Sequence, residues 1–255
     1  MKERPSRIVA LWCWYHGGAF RGYQSQRVGP TVQDTLIDAF RRAGFSRNPV
    51  SAGRTDLGVH ARMQVLSFRV VEDVPTSEIA ARLNAELPKD VGIWVARDAP
   101  RKFHPQWQAS AKEYRYRFGK GPYAWEIDVE LDRVRALLAE AVGTHDFFAF
   151  HEKSSKRMPR TVRSIEISGP GEVRIVGDGF ARYMVRYLVG GAVAAARREI
   201  ASDDFVRGIR EAVAFRGVKA PAQGLVLWEV RYPPEMDPFA ADRAGPVGLP
   251  FASHR

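Results

Sequence analysis

The chain has 255 residues, 45% hydrophobic and 27% charged. That length suits one large domain or two of ordinary size, with a core that needs no disulfide or metal to hold it. Its 39 Lys and Arg against 29 Asp and Glu leave a net charge of +10, which favours a polyanionic partner. A membrane span needs roughly 18 to 20 apolar residues, and the longest candidate, around residues 180 to 196, is broken by Arg182 and Arg186, so no membrane partner is expected. The single Cys13 forms no internal disulfide and sits in a strand-like VALWCWY, which reads as a buried reduced thiol in a reducing, cytoplasmic setting. The N-terminal MKERPSRIVALWCWY lacks the small-residue cleavage site of a secretion signal.

In chain order, residues 7 to 15 read as a strand, and HGGAFRGYQSQRVG after it as an irregular loop. Pro30 suits a first helical turn, and Val32, Leu36 and Phe40 recur at helical spacing, giving a helix to about Ala43. The pattern then predicts a strand over MQVLSFRVV, a helix from about Ser77 to Leu87 and a strand over VGIWVARDA. Residues 111 to 118, AKEYRYRF, open a second set. It comprises a helix over 132 to 142, strands near 161 to 167 and 172 to 177, helices near 180 to 197 and 203 to 214, and a closing strand LVLWEVRYP. The two halves have similar length and order of elements, so the economical fold is α+β, two related lobes sharing a sheet. The expected division is residues 1 to 110, residues 111 to 233, and a poorly ordered tail over 234 to 255, where Pro, Gly and Ala mix without periodicity.

The chemistry-bearing stretch is SAGRTDLGVH, residues 51 to 60. A carboxylate such as Asp56 is ionised at neutral pH and serves as a weak nucleophile or an electrostatic stabiliser; equally, Asp followed by a residue and Gly is ordinary turn chemistry. Arg54, two residues away, shares a strand face with it and pairs with it at the surface. Gly53 and Gly58 allow backbone or a flat ligand to approach closely. His60 is either a general base or a partner for local backbone groups. The six histidines and one cysteine show no metal-ligand spacing, the G-x-G at Gly177 and Gly179 lacks the third glycine of a dinucleotide site, and there is no Walker lysine, so neither metal nor cofactor is expected. Tyr114 and Tyr116 fall on one face of a strand; they stack on RNA bases while neighbouring arginines meet phosphates, or they pack a core. In GFARYMVRYLVGG, Phe180, Met184, Val185, Leu188 and Val189 form an apolar stripe. Arg186 borders that stripe, as a solvated charge or as a bidentate partner for Asp56.

Taken together, YHGGAFRGYQSQ (15 to 26), SAGRTDLGVHARMQVLSF (51 to 68), FHPQWQASAKEYRYRF (103 to 118), HDFFAF (145 to 150), GFARYMVRYLVGG (179 to 191) and APAQGLVLWEVRYP (220 to 233) resemble the tRNA pseudouridine synthase A family. The resemblance implies the pseudouridine synthase fold, with a mostly antiparallel sheet and a central catalytic cleft. It implies that Asp56 is the nucleophile, that Tyr114 stacks on the target uracil, that Arg186 pairs with the aspartate and that Arg54 helps displace the target nucleotide from the RNA helix. It implies, too, isomerisation of uridine at positions 38, 39 and 40 of the tRNA anticodon stem-loop by a homodimer without a cofactor. Leu57 and Tyr187 depart from the small residue and the asparagine usual in those places, and GKGPYAWEID looks short. The competing readings are an RNA-binding module without activity, and a glycosidase or nucleobase hydrolase using Asp56.

Overall fold

The computed structural model describes residues 6–152, 157, 159–168, 171–214 and 217–243. The chain divides into two compact units: unit 1 is Met1–Ser110 with Leu227–Arg255, and unit 2 is Ala111–Val226. Both mix helices with antiparallel strand pairs, which is the expected α+β class.

Unit 1 holds strands β1 (Arg7–Tyr15), β2 (Val50–Ser51), β3 (His60–Val70) and β4 (Val91–Ala99), helices α1 (Val32–Arg42) and α2 (Thr76–Asn84), and, from Leu227 onward, the return strand β9 (Leu225–Arg231). The strand order is β4-β1-β3-β9, with the short β2 also on β3. Val9 through Cys13 are all buried, which is why this segment reads as a continuous apolar run without alternation. On α1, Leu36, Ala39 and Phe40 form the buried stripe, and Phe40 meets Phe68 of β3 edge-on, their centroids 4.8 Å apart. Thr31 caps α1 by accepting the Asp34 N–H, so Pro30 stands just before the cap and not in the first turn.

Cys13 is buried, and burial pushes its thiol well above the usual range. After β9, Arg243 pairs with Asp237 and with Glu229 at 2.9 Å, holding residues 237–243 to the strand. The rest of the expected tail, 244–255, lies outside the described residues.

Unit 2 holds β5 (Ala111–Arg117), β6 (Gly143–His145), β7 (Arg160–Ser168) and β8 (Glu172–Gly177) in the order β5-β8-β7-β6, with α3 (Leu131–Ala139), α4 (Met184–Ala196) and α5 (Ser202–Arg210). α4 is its central helix, buried from Leu188 to Ala196. Phe147, Phe150 and Phe205 form an edge-to-face chain beside it, with centroids 6.1 and 5.6 Å apart. α4 starts four residues later than the apolar periodicity suggests. Tyr183 sits at φ +64°, a left-handed conformation that ends the lead-in, so Phe180 and Arg182 precede the helix.

Candidate active site

In unit 1, Asp56 lies on a tight turn closed by the Val59 N–H donating to the Asp56 carbonyl at 3.1 Å, with Gly58 at φ +81°. The aspartate is partly exposed, Arg54 and Leu57 are exposed, and Thr55 between them is buried. The alternation follows from how the loop is clamped. Val32 and Gln33, at the start of α1, donate to the carbonyls of Gly22 and Tyr23 (3.2 and 2.9 Å), and the Tyr23 N–H donates to the Thr55 carbonyl at 3.0 Å. The otherwise unpaired donors of a helix N-terminus thus fix segment 22–23, and that segment fixes the residue before Asp56.

The Thr55 side chain is held from the sheet. Its hydroxyl hydrogen-bonds the Tyr15 hydroxyl at 2.8 Å, and Gln64 Nε2 donates to the Gly53 carbonyl at 2.7 Å and reaches Tyr15 at 3.4 Å. Tyr15 is fully buried, and that burial, against the hydrogen bonds from Thr55 and Gln64, raises its phenol far above the ordinary range, so it remains a neutral donor. Gly22, at φ +96°, leaves room for the loop: a Cβ there would stand 3.1 Å from the Thr55 carbonyl oxygen and 3.2 Å from the Leu57 nitrogen. His60 takes a backbone role, its Nδ1 accepting the Gly17 N–H at 3.1 Å while the residue is buried.

In unit 2, β5 separates its residues by face. Tyr114 and Tyr116 are both buried. Tyr114 meets Phe180 edge-on with centroids 5.3 Å apart, and the Tyr116 hydroxyl donates to the Pro221 carbonyl at 2.9 Å. The opposite face carries an ion-pair network. Glu113 receives Arg115 at 2.9 Å and Arg174 at 3.0 Å, while Glu172 receives Arg115 at 2.9 Å and Arg117 at 3.1 Å. The arginines that alternate with the tyrosines are therefore paired with carboxylates, contrary to a phosphate-facing reading of AKEYRYRF; alternation on a strand puts them on the other side of the sheet.

Arg186 lies in the first turn of α4, where its Nε donates to the Ala220 carbonyl at 2.7 Å and the Ala220 N–H returns a bond to the Arg186 carbonyl at 3.0 Å. Segment 218–220 approaches α4 this closely because Gly190 has no side chain; a Cβ there would lie 2.2 Å from the Val218 carbonyl oxygen. Lys219 is tied at 2.9 Å to Glu152, which also accepts the Tyr187 hydroxyl at 2.5 Å. Those two hydrogen bonds hold the Glu152 carboxyl below its usual range, and burial with the Glu152 contact pushes Tyr187 up to about 12. Arg182, Arg186 and Lys219 all stand over the Tyr183 ring, at 4.7, 5.6 and 4.1 Å.

The structure thus places Arg54 and Asp56 on one loop of unit 1, and Tyr114 and Arg186 on β5 and α4 of unit 2. Sequence reading missed the holders of these residues: Tyr15, Gly22, Thr55 and Gln64 in unit 1, and Glu152 and Lys219 in unit 2. Among the described residues, no three His, Cys, Asp or Glu side chains are grouped so as to hold a metal ion, and no helix is long and apolar enough to cross a membrane.

A family model described as tRNA pseudouridine synthase matches residues 137–233. The protein named tRNA pseudouridine synthase A of Roseiflexus sp. (strain RS-1) is 34% identical over 262 residues, an alignment covering 95% of this chain and 97% of that one. The protein of the same name from Bacillus licheniformis is 35% identical over 240 residues, covering 86% and 96%. A chain in the crystal structure of the archaeal box H/ACA sRNP Nop10-Cbf5 complex aligns with a TM-score of 0.35 and 17% identity, over 71% of this chain and 44% of that one. The class is that of the pseudouridine-forming isomerases. Within it, the chain belongs to the tRNA pseudouridine synthase A family.

Proposed function

We propose that this protein isomerises uridine to pseudouridine at positions 38, 39 and 40 of the tRNA anticodon stem-loop, with Asp56 as the nucleophile. The observation that carries the reading is the Asp56 turn: a partly exposed carboxylate on a loop whose neighbours, Thr55 above all, are fixed by α1 and the sheet. Such a group is reachable by substrate and needs little reorganisation when it reacts.

In the reaction the bond from ribose C1' to uracil N1 breaks, the base turns, C1' bonds to C5, the C5 proton is lost and N1 gains one, so product and substrate are isomers. No electrons are gained or lost overall, so the chemistry calls for no redox partner. Asp56 either attacks C1', stabilises an oxocarbenium-like or glycal-forming state, or adds to C6. A stacked base is out of reach, so the target nucleotide is everted at a cost of a few kcal/mol, offset by phosphate contacts to a protein of net charge +10. Arg54, exposed beside Asp56, assists that eversion. Tyr114 stacks on the uracil, and Arg186 pairs with the carboxylate, its guanidinium already oriented through Nε. The working protein is a cytoplasmic homodimer that uses no cofactor.

The test is tritium release from 5-tritiated uridine in tRNA by Asp56→Asn and Asp56→Ala. Both variants are expected to bind tRNA and release no tritium above background; undiminished release removes the aspartate from the mechanism. Free uracil with an abasic RNA product would identify a glycosidase instead.

A further inference from the structure

The loop between β4 and β5 presents an aromatic ring that nothing described in unit 1 covers. Trp107 is 79% exposed, the highest value among the large hydrophobic side chains of the described residues. It does not hang free: its indole lies flat on the His104 imidazole, with centroids 3.9 Å apart and planes 9° from parallel. The exposure leaves the face opposite His104 open to solvent.

The loop beneath is built for rigidity. The backbone N–H groups of Gln106 and Trp107 both donate to His104 Nδ1, at 3.2 and 3.3 Å. The Gln108 side chain spans the loop, accepting the His104 N–H at 2.6 Å and donating to the Lys102 carbonyl at 2.9 Å. Phe103 and Pro105 anchor it in the core: Phe103 packs on Tyr232 at 5.0 Å, and the Tyr232 hydroxyl donates to the Pro105 carbonyl at 2.8 Å. A loop that spends this many hydrogen bonds on holding an indole outward, when the ring could fold down, pre-orders it for a partner.

The chemistry around the ring selects the partner. Arg101, Lys102 and Gln106, on the same loop, are all exposed, so the segment that presents the ring carries cationic and polar groups rather than further apolar ones. A flat π-face on a loop that carries exposed cations matches an unstacked nucleobase and its phosphates. A protein interface would surround its anchor with further apolar surface. We propose that the Trp107–His104 stack is a second base-stacking site, which holds an unpaired base of the tRNA other than the one being isomerised. The proposal rests on the tRNA reading above and adds a contact remote in sequence from Asp56, Tyr114 and Arg186.

The test uses the full chain with Trp107→Ala and Trp107→Phe, and separates affinity from chemistry. The ring is at the surface, so both variants are expected to keep the thermal midpoint of the parent. Trp107→Ala should weaken tRNA binding by about 5- to 150-fold, the range for loss of one base–aromatic stack, while the rate of tritium release at saturating tRNA stays within about twofold. Trp107→Phe, which keeps a stacking face, should recover most of the affinity. Adding tRNA should quench an emission component that the parent has and Trp107→Phe lacks. Unchanged affinity in Trp107→Ala overturns the proposal. So does loss of self-association in that variant by light scattering, which would make the ring an interface between copies. If the parent itself neither binds nor modifies tRNA, the functional reading fails first and this site with it.

Discussion

Arg186 and Ala220 hold each other by two hydrogen bonds, side chain to carbonyl at 2.7 Å and N–H to carbonyl at 3.0 Å. One guanidinium nitrogen is thereby fixed, and the plane of the group with it. A lysine has no planar fork and cannot reproduce both the anchor and an oriented pair of donors. Arg186→Lys should therefore resemble Arg186→Ala. Both should lower the single-turnover rate by about ten- to a hundredfold, the equivalent of a charge-assisted hydrogen bond, with tRNA affinity changed much less. An equal fall in rate and affinity would assign Arg186 to phosphate binding.

Gly22 offers a test of the loop that carries Asp56. Any L side chain at φ +96° costs about 1–2 kcal/mol, and the Cβ would press on the Thr55 carbonyl and the Leu57 nitrogen. Gly22→Ala should lower the thermal midpoint modestly and the turnover more, since the strain is delivered beside the carboxylate. Gly18→Ala, where a Cβ meets nothing within 4 Å, is the control and should match the parent in both measurements.

Which parts of this arrangement were legible in the sequence follows from the range of the forces involved. β1 and β4 are legible to the residue, because β1 is a buried apolar run and β4 opens on a β-branched apolar run, VGIWV. β2 and β6 are not, since strands of two and three residues owe their existence to a neighbour in register. The start of α4 was misplaced because FARY continues the helical spacing while Tyr183 takes a left-handed backbone. The same distinction holds at the site. Asp56, Arg54, Tyr114 and Arg186 stand in contiguous motifs. The clamp Tyr15–Thr55–Gln64 depends on β1 lying against β3 with Cys13 opposite Gln64, and on the irregularity that then brings Tyr15 opposite Ala61. Such a register is a tertiary fact. Glu152 and Lys219, 67 positions apart, were equally invisible, although Tyr187 stood out against the family pattern.

The Glu152 cluster gives a pH dependence whose sign is fixed. Glu152 has a folded value below its ordinary one, held there by Tyr187 and Lys219, so its contribution to stability is present above the ordinary carboxylate range and fades as pH falls through the depressed value. Tyr187 is raised to about 12. Its contribution is complete below the ordinary phenol range near 10 and is lost as pH climbs toward about 12. With Glu152 36% exposed, the pair contributes less than about 1 kcal/mol. Urea midpoints of parent and Glu152→Gln should differ slightly at neutral pH and converge as pH falls through the depressed carboxyl value. A difference that persists there would remove the carboxylate's charge from the account.

Binding of tRNA should weaken steeply with salt, as expected for a chain of net charge +10. Not every arginine contributes to that slope. Arg115 is already engaged by Glu113 and Glu172, so Arg115→Gln should lower the thermal midpoint and leave the slope of log affinity against log salt unchanged. A slope reduced by about one unit would mean that Arg115 contacts a phosphate.

Unit 2 is one uninterrupted stretch, whereas unit 1 is completed only when β9 arrives from the far side of it. During translation unit 2 is therefore synthesised up to Gly224 before β9, the last strand of unit 1, exists. Until then, among the described residues, the side of β3 away from β1 pairs only with the two residues of β2. That leaves an open strand edge on the nascent protein, of the kind that mispairs with other chains, and a stop codon ahead of β9 would make the exposure permanent.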